Sequence, residues 1–136
     1  MLKSTLFAFL ITVFLLSEAH PFKPDYYVII DTDCGIDDMR SLSLFLSSPN
    51  IRVLAITVSP GVLEPDKGYV KVKSLLKSLH KEGIQVGITK TSVKGKNCSK
   101  ALLQSWGDES KVLNDSITHG IGIVTDILKN SNVKFY

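Results

Sequence analysis

A short apolar, β-branched run that ends in a cluster of carboxylates most limits what this chain can fold into. It occupies residues 26–40, YYVIIDTDCGIDDMR. Val28, Ile29 and Ile30 read as a strand buried on both faces, the pattern of a parallel sheet. Gly35 permits a tight turn of the kind that needs no Cβ. Asp37 and Asp38 then open a segment in which Met39, Leu42, Phe45 and Leu46 recur at helical spacing. Strand, acidic turn and helix start bring Asp31, Asp33, Asp37 and Asp38 to the carboxyl end of a strand, where open α/β sheets bind ligands.

Four carboxylates so close in sequence repel one another and call for a counter-charge. A hard divalent cation, Ca²⁺ or Mg²⁺, prefers oxygen ligands and is the simplest remedy. Helix capping is the other account: Asp37 and Asp38 complement the helix dipole while Asp31 and Asp33 sit solvated in a loop. Capping covers one or two of the acids and leaves Asp31 and Asp33 unexplained.

At these residues the sequence resembles the nucleoside hydrolases, the inosine–uridine-preferring N-ribohydrolase family. That family's fingerprint is an apolar strand followed by Asp-x-Asp-Pro-Gly-x-Asp-Asp. Here it reads Asp31-Thr32-Asp33-Cys34-Gly35-Ile36-Asp37-Asp38, with Cys34 where proline is usual. The likeness continues through residues 42–48, Pro49-Asn50-Ile51 and Val53-Leu54-Ala55-Ile56-Thr57, which are similar to the family's first helix, Pro-x-Ile connection and second strand.

The resemblance implies an open, mostly parallel α/β sheet with flanking helices, of Rossmann-like topology. It also implies an activity: hydrolysis of the N-glycosidic bond of a ribonucleoside, a small-molecule riboside, through an oxocarbenium-like transition state. By position, Asp33 and Asp38 match the family's Ca²⁺-binding aspartates, and Asp33 also matches the general base for the attacking water. Asp37 matches the aspartate that hydrogen-bonds a ribose hydroxyl, and Asp31 looks like a supporting carboxylate behind them. Members of the family often form oligomers, so a homo-oligomer is among the expectations. One departure concerns the sugar. The family's second strand is normally followed by Gly-Asn, with the asparagine reaching the ribose; here Gly61 is followed by Val62, whose side chain cannot hydrogen-bond.

The chain begins with a different kind of segment. Lys3 supplies a positive start, residues 6–16 an apolar core, and Ser17-Glu18-Ala19 a small-x-small cleavage site, the features of a secretory signal peptide. The apolar core is shorter than the roughly 20 residues that span a bilayer. Residues 1–19 are therefore expected to be cleaved near Ala19, leaving no stable membrane insertion and a secreted or periplasmic product. The formal net charge is +3, and loss of Lys3 and Glu18 does not change it. That is too mild to imply nucleic-acid binding. Residues 20–136 are long enough for one core. They hold two cysteines, Cys34 and Cys98, for which a disulfide and free thiols are both open.

After the acidic turn the pattern alternates. Residues 53–58 form a second apolar strand and Ser59-Pro60-Gly61 a turn. Pro65 and Asp66 suit a helix start, and Val72, Leu75, Leu76 and Leu79 give that helix an apolar stripe up to Gly83. Residues 84–88 are a third strand, and the alternation predicts a parallel sheet with right-handed crossovers. Residues 89–113 lack periodicity and read as a charged surface loop, in which Trp106 packs or stacks on a base. Residues 116–129 resume helical spacing with Ile117, Ile121, Val124 and Leu128, and His119 on this helix reads as structural. Residues 133–136 look like the opening of a fourth strand. On this reading the chain corresponds to the N-terminal half of the family's domain, truncated after about its fourth strand, with fewer ligands than the six to eight that Ca²⁺ takes. Two alternatives accompany it: a secreted, non-catalytic remnant or binding domain of the same fold, and a haloacid-dehalogenase-type phosphatase with Asp31 as nucleophile and Asp33 as acid/base.

Overall fold

The structure, a computed structural model, describes residues 23–90 and 118–130. The expected signal segment, Trp106, Cys98 and the strand at 133–136 lie outside them. In chain order the elements are β1 (Tyr26–Thr32), α1 (Ile36–Ser47), β2 (Ile51–Val58), α2 (Pro65–Ser78), β3 (Gln85–Ile88), β4 (Thr118–His119) and α3 (Gly120–Asn130). The strands form one open, all-parallel sheet in the order β1-β2-β3-β4. Long helical crossovers join β1 to β2 and β2 to β3, as parallel pairing demands.

Register decides which side chains share a face. Ile30 pairs with Ile56 and Thr32 with Val58, while Val86 and Ile88 continue the same rows on β3. This face is covered by α1 and α2: Met39, Leu42 and Leu46 of the first and Val72, Leu75 and Leu76 of the second join these strand residues in one buried cluster. Ile29, Asp31, Ala55 and Thr57 occupy the opposite face, since side chains alternate along a strand. There α3 packs through its first residue. A Cβ on Gly120 would lie 3.0 Å from Thr57 Cγ2, and one on Gly87 would lie 2.6 Å from Gly120 Cα. A register shift between Val28 and Ile29 leaves Leu54 unpaired and realigns the two strands.

Four sequence expectations are corrected. The strand at Val28–Ile30 is only half-buried, because β1 is an edge of the described sheet and α3 packs on β2 and β3. The last helix starts at Gly120 rather than near 116: Thr118 and His119 pair with Gly87 and Ile88 as a short strand, and His119 is exposed. The face of that helix turned inward carries Gly120 and Ile123, whereas Ile121 and Leu128 are exposed. Finally, α2 ends at Ser78 and does not run to Gly83.

Its ending has a clear cause. The His80 N–H donates to the Lys77 carbonyl and the Lys81 N–H to the Leu76 carbonyl, the paired bonds of a Schellman cap. The cap places His80 at φ 54°, a left-handed conformation that costs a non-glycine residue about 1–2 kcal/mol. His80→Gly should therefore raise the unfolding free energy by about 1 kcal/mol, read from urea denaturation. An unchanged or lower stability would show that His80 bears no such strain.

Candidate active site

The site is built where β1 and β2 end. Thr32 is the last residue of β1 and Gly35 the N-cap of α1, so the turn between them spans Asp33 and Cys34 only. Gly35 offers no side-chain cap. Asp37 and Asp38, in the first turn of α1, supply the negative charge that a helix N-terminus favours.

Asp38 does more than complement the helix. Its Oδ2 accepts a hydrogen bond from the Thr32 hydroxyl at 2.9 Å and another from the Asp33 N–H at 3.2 Å. The carboxylate is thus folded back beneath the backbone of Asp33. Asp33 is held from two sides. Its Oδ1 accepts from Gly35 N–H at 3.1 Å, and its Oδ2 accepts from Val62 N–H at 3.1 Å, across the gap to the loop that follows β2. The Leu63 N–H also donates to the Asp33 carbonyl at 3.2 Å. Gly61 lies flat against this carboxylate: a Cβ there would sit 2.2 Å from Asp33 Oδ2 and 2.4 Å from Asp33 Cβ. Asp37 is exposed and, among the described residues, accepts no hydrogen bond. A Cβ built on Gly35 would fall 2.8 Å from Asp37 Oδ1 and 3.5 Å from Asp33 Oδ1, so the two carboxylates flank one glycine.

Asp31 stands apart. It shares a face with its register partner Thr57, and its carboxylate accepts from the Thr57 hydroxyl and from the Ser59 hydroxyl, the latter at 2.9 Å to each oxygen. It ties the end of β1 to the end of β2 and makes no hydrogen bond to Asp33 or Asp38. The sequence thus brings Asp33, Asp37 and Asp38 to one turn and sends Asp31 to the other face. Sequence reasoning missed Thr32, Thr57, Ser59 and the backbone of Gly61 and Val62. The alternation of the strand could have separated Thr32 from its two acidic neighbours; the loop contacts had no such signal. Val62, noted for its missing side-chain hydrogen bond, contributes its backbone N–H to Asp33 and packs its side chain against the core cluster.

Cys34 is free and 1% exposed. Burial pushes its thiol pKa up to about 12, the neighbouring Thr32 side chain opposes the rise, and the charges of Asp33, Asp38 and Asp31 add to it. A protonated, enclosed thiol is no nucleophile at neutral pH. Helix α2 closes over it at Gly68, where a Cβ would lie 2.9 Å from Cys34 Sγ. The backbone of Cys34 has φ 63°, a value closed to proline, whose ring fixes φ near −65°.

The donors present are hard oxygens, the chemistry that Ca²⁺ or Mg²⁺ seeks. Asp38 Oδ1 accepts no hydrogen bond among the described residues, which leaves it open to a ligand, and the neutral N–H and hydroxyl donors orient the carboxylates without cancelling their charge. These features fit a hard cation. The described residues supply only part of a shell: no group of three or more His, Cys, Asp or Glu among them is arranged to hold a metal.

Fold and turn together define an α/β protein with a preorganised acidic turn at the carboxyl edge of a parallel sheet. The family model for inosine-uridine preferring nucleoside hydrolase matches residues 28–127, and the chain belongs to that family. The pyrimidine-specific ribonucleoside hydrolase RihA of Salmonella schwarzengrund (strain CVM19633) is 44% identical over 59 residues, which are 43% of this chain and 19% of RihA. Among solved structures, an inosine-guanosine nucleoside hydrolase aligns with a TM-score of 0.59 and 24% identity over 80% of this chain and 36% of its own. A purine-preferring ribonucleoside hydrolase from Gardnerella vaginalis aligns with a TM-score of 0.56 and 18% identity over 77% of this chain and 36% of its own. These two structures bear on the fold alone. The chain spans about a fifth of RihA's length and about a third of theirs. Family membership displaces the phosphatase alternative.

Two substitutions probe the turn. Gly61→Ala should push Asp33 off its seat, lowering the unfolding free energy by about 1–3 kcal/mol and speeding amide exchange at Val62. Exchange at the wild-type rate would mean that Asp33 does not rest on Gly61. Cys34→Pro should cost more than about 1 kcal/mol, because the ring excludes the observed φ and removes the N–H that donates to Thr32 Oγ1. Thermal unfolding at the wild-type midpoint would mean the turn can take another backbone path.

Proposed function

We propose that this chain carries the acidic half of a nucleoside hydrolase site, which cleaves the N-glycosidic bond of ribonucleosides with water as the nucleophile. Because the chain spans only part of its relatives' length, the activity is assigned to this site within a polypeptide of theirs. The observation that carries the reading is the folding back of Asp38 onto the Asp33 N–H, which joins two carboxylates on one rigid turn at the carboxyl edge of the sheet.

Asp33 is the general base. Its carboxylate is fixed by Gly35 N–H and Val62 N–H, and each oxygen retains a lone pair with which to take a proton from water as that water attacks the anomeric carbon. Asp38, with Asp33, is the cation ligand, offering the oxygen that the Thr32 and Asp33 donors leave open. Asp37, exposed beside Gly35, accepts from a ribose hydroxyl and so orients the sugar. Asp31 keeps the ends of β1 and β2 together. A Ca²⁺ ion bound there would lower the pKa of water and anchor hydroxyl oxygens. The family's description, inosine-uridine preferring, spans a purine and a pyrimidine nucleoside, so the substrate class proposed is the ribonucleoside without a base preference.

Calorimetric titration of Ca²⁺ into the chain, with Asp33→Ala and Asp38→Ala beside it, tests the metal part. Saturable binding in the wild type should fall at least about tenfold in either variant, the loss expected for a charged ligand. In a polypeptide of the relatives' length, Asp33→Ala should reduce inosine and uridine hydrolysis by about a hundredfold or more while the fold is kept. Turnover at the wild-type rate would remove Asp33 from the base role. A chain that folds and binds no Ca²⁺ would favour a non-catalytic domain of this fold.

A further inference from the structure

We propose that Thr32 is a positioning residue for this site: its hydroxyl sets the Asp38 carboxylate and thereby the cation-facing geometry of the turn. The inference rests on the reading of Asp38 as a ligand. Thr32 is only 3% exposed and projects onto the core face, opposite to its neighbour Asp31. Its Oγ1 accepts from the Cys34 N–H at 3.0 Å and faces Asp38 Oδ2 at 2.9 Å. A hydroxyl has one proton. A carboxylate can only accept, so that proton goes to Asp38, while the Cys34 N–H occupies a lone pair of Oγ1. The Asp33 N–H reaches the same Oδ2 atom, so the two donors converge on one oxygen of Asp38 and leave Oδ1 without a donor among the described residues. Serine could supply this contact; valine, of nearly the same shape, could not.

The roles of bond and bulk separate in Thr32→Val and Thr32→Ser. In the valine variant Ca²⁺ affinity should fall about tenfold or more, the effect of losing a hydrogen bond to a charged group. Amide exchange at Asp33, whose N–H depends on where Asp38 sits, should quicken, while exchange at Ser59, whose N–H donates to the Thr32 carbonyl, should stay at the wild-type rate. The serine variant should restore both affinity and Asp33 protection. Merely structural packing would move Ser59 and Asp33 together and would not be repaired by serine, and that pattern overturns the proposal. So does valine-variant affinity within about twofold of wild type. In the unsubstituted chain, the Thr32 hydroxyl proton should exchange slowly and show a through-bond coupling to the Asp38 carboxyl carbon; its absence overturns the proposal even if the valine variant does not fold. A wild-type chain that binds no Ca²⁺ yet shows this coupling and the exchange pattern would fail the metal reading while leaving the Thr32–Asp38 assignment standing.

Discussion

The Asp33 carboxylate accepts one hydrogen bond from its own turn, at Gly35, and one from the loop after β2, at Val62, and most of the site's order depends on this pairing. Two segments that leave adjacent parallel strands would otherwise diverge, each with unpaired backbone donors. Here they close on one side chain. The Leu63 N–H bond to the Asp33 carbonyl and the Ser59 N–H bond to the Thr32 carbonyl continue the β1–β2 ladder past its formal end. Gly61 makes the approach feasible, because any side chain would occupy the space of the carboxylate. The cluster is thus built into the sheet edge, and its acids are tethered to backbone that the core already fixes.

Strand alternation divides the labour among neighbours in sequence. Asp31 points to the α3 face and joins Thr57 and Ser59; Thr32 points to the core face and joins Asp38 and Cys34. A one-residue slip of β1 would exchange these environments, placing a carboxylate in the apolar cluster and a hydroxyl at the surface. Burying a carboxylate without a partner costs far more than burying a bonded hydroxyl. The register shift between Val28 and Ile29 therefore matters beyond local geometry: with Leu54 set aside, Thr32 falls opposite Val58 and Asp31 opposite Thr57. The chemistry of the turn and the packing of the core constrain one another.

Much of this was legible in the sequence. The apolar runs, the Gly35 turn, the acids opening a helix and the Pro65 start identify the β-α-β-α-β order, and the spacing of Asp33, Asp37 and Asp38 marks the site. Other features were not legible, for identifiable reasons. A two-residue strand such as Thr118–His119 carries no periodicity, so the helical pattern of the sequence runs straight through it. Ile121 and Leu128 fit a helical stripe but lie on the side of α3 away from β2 and β3, because that packing runs through glycines, which hydropathy does not weigh. Val28–Ile30 has the composition of a doubly covered strand, yet coverage is a property of neighbours. Lys71 is 2% exposed in α2, where charge alone assigns it to solvent. The loop around Gly61 and Val62 acts through backbone, which no side-chain pattern reports.

Charge balance carries the argument furthest. Hydrogen bonds from neutral N–H and hydroxyl groups orient Asp33 and Asp38, yet they leave the repulsion between the carboxylates in place. A structure that needed these acids only for helix capping could satisfy that need with one side chain at the N-terminus of α1. Holding Asp33 under Gly61, Asp38 under the Asp33 N–H and Asp37 exposed at the rim concentrates negative charge where the sheet opens to solvent, and mutual repulsion opposes that arrangement. Buried or oriented like charges persist when the surrounding structure over-determines them and a ligand of opposite charge completes the site. The rigidity contributed by Thr32, Gly61 and Val62 is the first of these conditions. A divalent cation, with a sugar hydroxyl beside it, is the proposed ligand that would meet the second.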